Sequence, residues 1–134
     1  LPSSFHSNLD IRHVISTGFS YENDGLKVSS GFNWHSGVPT TLLGENHDDL
    51  QQNIQYQAPN FARLKDYFRL DISSTYSFKI SEKVNSMVGI SFLNILNTQN
   101  IYNQFYLINS DQNIQTFRQN GLGFTPNLLV RFTF

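Results

Sequence analysis

Few residues in this chain are spaced for bond-making chemistry. His13 and Ser16 could supply a base and a nucleophile, but three residues apart on an alternating segment they fall on opposite faces. No Gly-x-Ser-x-Gly elbow and no pair of catalytic carboxylates occurs. His35, His47, Asp48 and Asp49 are metal-ligating types without regular ligand spacing, so solvated loop chemistry is the expected role. With no cysteine, a thiolate metal centre and a disulfide scaffold are both excluded. The chain is therefore expected to be no enzyme and to hold no metal or cofactor. What remains is a set of charges, Arg69, Asp71, Lys79, Lys27 and Arg131, whose meaning depends on the elements that carry them.

Those elements are strands. In residues 67–80 the even positions read Phe68, Leu70, Ile72, Ser74, Tyr76, Phe78, Ile80, and Arg69, Asp71 and Lys79 all fall on the odd face. Side chains alternate along a strand, so one face is apolar and the other carries every charge. Residues 26–36 repeat this, with Leu26, Val28, Phe32 and Trp34 against Lys27, Ser29, Gly31 and Asn33. Residues 122–134 do so most fully: Leu122, Phe124, Pro126, Leu128, Val130, Phe132 and Phe134 face one way, with Arg131 on the other side. Residues 86–97 begin the same way at Val88, Ile90 and Phe92, then lose phase at Leu93-Asn94-Ile95-Leu96, where a bulge or a change of environment is expected. Residues 11–21 alternate more weakly through Ile15, Thr17, Phe19 and Tyr21.

The connections alternate as well. Glu22-Asn23-Asp24-Gly25 carries the Asp-Gly hairpin signal, and residues 81–85 are also a short link. Residues 37–66 and 98–121 are long polar links. Strands that run to about 11–14 residues, against the 9–11 or so needed to span, joined alternately by short turns and long loops, fit an outer-membrane β-barrel, apolar side to lipid and polar side to the lumen. Bulk numbers agree once alternation is allowed for. The 134 residues carry net charge −1 and are 39% hydrophobic, with mean hydropathy −0.32 and no apolar run long enough for a membrane helix. Only 14% are charged, against roughly 25% in soluble domains. The near-neutral balance argues against a nucleic-acid partner. Aromatics gather at both strand ends: Tyr21, Tyr76, Phe78, Phe132 and Phe134 toward the short turns, Phe32, Trp34, Tyr67, Phe68 and Phe124 toward the long links.

The expected fold is all-β, with about five antiparallel strands forming the carboxy-terminal part of a large transmembrane barrel. Five strands cannot close, because such barrels have even counts of at least about eight. The chain begins Leu1-Pro2 with neither Met nor a signal peptide, so residues 1–134 are expected to be a fragment of one barrel domain. Arg69, Asp71, Lys79, Lys27 and Arg131 would line the lumen. They would touch plug or substrate, or simply form a structural charge ladder, and the ladder is favoured. Loop residues Tyr102, Phe105 and Tyr106 could stack on a sugar or aromatic ligand, or extend the strand pair.

Three phrases narrow the reading. Ser36-Gly37-Val38-Pro39-Thr40 follows one strand, Arg63-Leu64-Lys65-Asp66-Tyr67-Phe68-Arg69-Leu70-Asp71-Ile72 leads into the next, and Phe92-Leu93-Asn94-Ile95-Leu96-Asn97 closes the one after. In this order, with terminal Phe134, they resemble the carboxy-terminal end of TonB-dependent outer-membrane receptors. The likeness is to receptors with a carboxypeptidase-regulatory-like amino-terminal domain, and it spans about residue 10 to 134. It implies a barrel of roughly 22 strands in a Gram-negative outer membrane, plugged by a missing amino-terminal domain. It further implies import of a ligand into the periplasm. The implied partners are outer-membrane lipid, the barrel-assembly machinery, the rest of the barrel and its plug, an inner-membrane energising complex and a surface lipoprotein.

Two other readings stay open. One is a structural or secretion-associated barrel component without transport, which the absence of an upstream plug of about 100–150 residues would favour. The other is a soluble β-sandwich, which would remain monodisperse without detergent. Phe134, with Phe132, Val130 and Leu128, is expected to act as a signal to the assembly machinery as well as facing lipid. Deleting Phe134 from the full-length protein should lower outer-membrane insertion; unchanged assembly would defeat the signal reading.

Overall fold

The fold is built from tight turns that set strand direction and long links that do not. The computed structural model describes residues 7–44, 55–111 and 113–134. Asp24 and Gly25 have φ of 46° and 80°. Two successive left-handed residues are the backbone signature of a type I′ turn, whose twist matches the strands it joins. Strand β1 (Val14–Asn23) thereby folds back on β2 (Leu26–His35). Ser16 Oγ donates to Asn33 Oδ1 at 2.7 Å, and the Ser20 and Ser29 hydroxyls lie 3.0 Å apart. The even residues of β1 and the odd residues of β2 therefore share the polar face.

The second short turn is built differently. Strands β5 (Tyr67–Ser81) and β6 (Val84–Leu93) are joined by Glu82 and Lys83, neither of which is left-handed. A turn of the ordinary hand splays its strands. Here the ladder carries an extra residue: Lys79 pairs with Asn85 and Ser81 with Val84, leaving Ile80 as a bulge. A bulge adds local twist and lets the pair re-form beyond the turn.

The five long strands make one antiparallel sheet in the order β1-β2-β5-β6-β9, with β9 spanning Thr125–Thr133. The phases agree across it. Ile72, Phe92 and Pro126 form one cross-strand row, Ser74, Ile90 and Leu128 the next, and Tyr76, Val88 and Val130 the third. The opposite face carries the rows Ser73, Ser91, Asn127 and Thr75, Gly89, Leu129. Phe32 meets Phe68 edge-on at 5.0 Å, and Phe92 stacks on Phe124 at 5.7 Å. Yet the apolar face is not covered: Phe19, Tyr76, Val88, Ile90, Leu128, Val130 and Phe132 are all exposed, and Tyr106 is the one buried hydrophobic residue among those described.

The long links are not structureless. In the first, β3 (Pro39–Thr40) pairs with β4 (Ala62–Arg63), and a bridge joins Leu43 to Tyr56. In the second, the long polar link over 98–121, β7 (Ile101–Ile108) and β8 (Ile114–Asn120) form a hairpin. Both strand faces of that hairpin carry Asn or Gln, so the apolar contrast that marks a strand is weak there. The strand expected over 86–97 stops at Leu93, because Asn94 and Asn97 are left-handed, with φ of 50° and 52°. The chain divides into two units. One comprises Leu1–Val14, His35–Tyr67 and Asn100–Gly121; the other comprises Ile15–Trp34, Phe68–Gln99 and Leu122–Phe134.

Gly25 tests the turn chemistry. It is left-handed, and a Cβ there would sit 2.5 Å from the Ser77 carbonyl oxygen, whose own N–H donates to Gly25 O at 2.9 Å. Gly25→Ala should destabilise the fold by about 1–2 kcal/mol in a denaturant titration, whereas Asp24→Gly should shift it by less than about 0.5 kcal/mol.

Candidate functional site

On the polar face of the sheet, two of the expected charges, Arg69 and Asp71, are engaged with each other. Arg69 forks onto Asp71, Nε to Oδ1 at 2.8 Å and Nη2 to Oδ2 at 2.7 Å. A bidentate guanidinium–carboxylate pair is directional as well as charge-neutralising. Asp71 Oδ1 also accepts the Asn94 backbone N–H at 2.8 Å. This geometry holds the end of β6 against β5. Lys79 lies opposite Asn85, and Arg131 opposite Met87, both toward the Glu82–Lys83 turn. Lys27 sits 4.0 Å from Glu22, with both side chains largely in solvent, an arrangement of little energetic weight.

Between these charges the face carries small uncharged groups. Ser73, Thr75, Gly89, Ser91, Asn127 and Leu129 surround a shallow hollow of about 240 Å³. That is below the roughly 300–1,000 Å³ of a small-molecule pocket.

The first two phrases of the family resemblance fold into one knot. Arg63 Nη1 donates to the carbonyls of Asp10 and Gly37, both at 2.8 Å, and its Nη2 meets Asp10 Oδ2 at 2.6 Å. The Gly37 N–H donates to Asp66 Oδ1 at 3.0 Å. Ser36 Oγ accepts the backbone N–H of Arg12 at 3.0 Å and of His13 at 3.2 Å. Gly37 backs directly onto the Leu64 carbonyl, leaving no room for a side chain. These bonds tie the segments before β1, after β2 and before β5 to one another. Spacing alone cannot reveal this, because Asp10 and Arg63 are far apart in sequence; only the Gly37 and Asp66 positions near strand ends hint at it.

The three loop aromatics part company. Tyr102 is exposed, tilted against Tyr67 at 5.9 Å, and Tyr67 stacks on His35 at 4.7 Å. Phe105 stacks on its cross-strand partner Phe117 at 5.7 Å, with both rings exposed. Tyr106 is 8% exposed, packs on Tyr56 and accepts a hydrogen bond from Gln104 Nε2 at 2.7 Å. Tyr102 and Phe105 thus present ring surface outward, while Tyr106 acts in packing. A hairpin signal was present in the sequence: Asn109-Ser110-Asp111 separates two runs containing Ile, Leu and Phe. Asn109 Oδ1 accepts the N–H groups of Asp111 and Asn113, closing that turn.

No group of three potential metal ligands occurs among the described residues, and His47, Asp48 and Asp49 lie outside them. His35 uses Nδ1 against the Ser36 carbonyl at 2.9 Å.

The Asp10–Arg63 pair gives a quantitative check. Both side chains are partly buried, so a double-mutant cycle with Asp10→Ala and Arg63→Ala should return a coupling of about 1–3 kcal/mol. Additive losses would show that Arg63 acts through the two carbonyls alone. Comparison with family models, curated proteins and solved structures returns no match for this chain.

Proposed function

We propose that this chain is the carboxy-terminal part of the wall of a TonB-dependent outer-membrane receptor, which imports a ligand into the periplasm of a Gram-negative cell. The observation that carries the membrane part of the reading is the apolar face in register across β5, β6 and β9, on which Tyr76, Val88, Ile90, Leu128, Val130 and Phe132 stand exposed. A soluble sheet must bury such a face against a second layer. Lipid replaces that layer in an outer-membrane barrel, where apolar residues point outward and polar ones inward. Strand length agrees: β1, β2 and β6 have 10 residues each, and β9 has 9, close to the 9–11 or so needed to span.

Strand parity supports a larger wall. In a five-stranded antiparallel sheet, β1 and β9 run in the same direction. A copy added edge to edge would place β9 parallel to β1, which an antiparallel barrel does not allow. Closure needs an odd number of further strands from elsewhere, as the rest of a single barrel would supply. The polar face, with Arg69, Asp71, Lys79, Lys27 and Arg131, then lines the lumen and faces a plug. The links bearing Tyr102 and Phe105 lie outside the cell, where a ligand or surface lipoprotein would meet them. The transport role itself rests on the ordered phrases from Ser36 to Asn97.

A charge placed on either face separates lipid from water. In the full-length protein, Ile90→Lys should cost about 2–4 kcal/mol and sharply lower the amount inserted in outer membranes, while Ser91→Lys should be tolerated. Equal tolerance of the two lysines would sink the membrane reading.

A further inference from the structure

The link between β6 and β9, residues 94–124, is too long to dictate how those strands align. A two-residue turn sets register through its own geometry, whereas a long link lets the second strand slide. Alternation within β9 does not settle the matter either. A slip by one residue would reverse its faces and is excluded. A slip by two moves the strand about 6.8 Å and returns apolar residues to the apolar side. Leu128, Val130 and Phe132 are interchangeable in that respect, yet one register is present, with Ser91 opposite Asn127 and Val88 opposite Val130.

The turn that ends β6 supplies what the pattern lacks. The Asn94 N–H donates to Asp71 Oδ1 and the Ile95 N–H to Leu70 O, each at 2.8 Å, which anchors the turn to β5. Within the turn, the Asn97 N–H donates to Asn94 O at 2.8 Å and the Thr98 N–H to Asn94 Oδ1 at 3.0 Å. None of these bonds involves β9. Two groups then reach the chain leading into it: Asn94 Nδ2 donates to Leu122 O at 2.9 Å, and Asn97 Oδ1 accepts the Phe124 N–H at 3.0 Å. Asn94 is 1% exposed, so water cannot stand in for a missing partner.

We propose that Asn94 and Asn97 form a register lock for the β6–β9 seam, a socket on the β5–β6 pair that accepts β9 in one alignment. Each two-residue slip costs hydrogen bonds. Sliding one way brings Pro126 to the position of Phe124, and proline has no N–H to offer Asn97. Sliding the other way draws in Asn120, which is paired with Ile101 in the β7–β8 hairpin, and pulls on Gly121, whose N–H donates to Asn100 O at 2.8 Å. The lock follows from the sheet itself and holds whether lipid or protein covers the apolar face.

Disulfide trapping in the full-length protein tests it. Ser91→Cys is combined with Asn127→Cys for the observed register, and with Thr125→Cys or Leu129→Cys for the two slips. With both asparagines intact, only the 91–127 pair should oxidise efficiently. In the Asn94→Ala/Asn97→Ala background the shifted pairs should rise relative to 91–127, by roughly tenfold for the buried Asn94 bond and by less for the exposed Asn97 bond. Shifted pairs that stay at background there would overturn the lock. Should the double variant not accumulate, Asn97→Asp, which keeps the acceptor, should trap one register where Asn97→Ala traps several. Equal trapping in those two would also overturn it. A Ser73→Cys/Ser91→Cys pair across β5 and β6 should be unaffected; loosening of both seams alike would mean general fraying instead.

Discussion

A strand has only two faces, and strands hydrogen-bonded edge to edge must agree on which is which. That agreement is the constraint the rest of this structure serves. The even residues of β5, β6 and β9 share one side, as the rows through Ile90 and Val88 show. A single disagreement would put Arg69 or Asp71 among the phenylalanines. Each connection meets the constraint in its own way. Asp24 and Gly25 do so by left-handed backbone, and the Glu82–Lys83 turn by an extra residue at Ile80. After β6 the alternation of β9 itself sets the faces, and side-chain hydrogen bonds at the two ends of the link bear on which of the agreeing registers is taken.

Polar chemistry in the described residues is concentrated where strands begin and end. Arg63 ties Asp10 to Gly37, Asp66 holds the Gly37 N–H, and Asp71 ties Arg69 to Asn94. A sheet with almost no buried hydrophobic core among those residues cannot rely on side-chain packing to define its loops. Directed hydrogen bonds take over that task, and they are strongest where the groups are charged or shielded from water. The short phrases that suggest a receptor family are, in this structure, the sequences of those fastenings. Their order reflects the order of strand ends along the chain, which is why they read as a set and not as a ligand-binding motif.

Much of the sheet was legible beforehand. Residues 26–36 and 67–80 match β2 and β5 to within one residue at each end, because alternation is local and each strand carries it in full. The hairpin of β7 and β8 was legible only through its Asn109-Ser110-Asp111 turn, since Asn103, Gln104, Gln115 and Gln119 dilute the contrast on both of its faces. The end of β6 was legible only as a loss of phase. Leu93-Asn94-Ile95-Leu96 is apolar enough to continue a strand, and the left-handed turn at Asn94 is stabilised by Leu70, Asp71 and Leu122, all distant in sequence. Among the loop aromatics, nothing in Tyr102-Asn103-Gln104-Phe105-Tyr106 marks which ring is buried; Tyr56 and Gln104 decide that for Tyr106.

The sequence by itself determined the all-β class, the phase of each long strand and the position of the Asp24–Gly25 turn. Each of those depends on neighbouring residues and the period of two. Tertiary structure alone decided the register between β6 and β9, the pairing of Arg63 with Asp10, and the burial of Tyr106. The reason is physical. Alternation repeats every two residues and cannot count along the strand, whereas a hydrogen bond between one donor and one acceptor can.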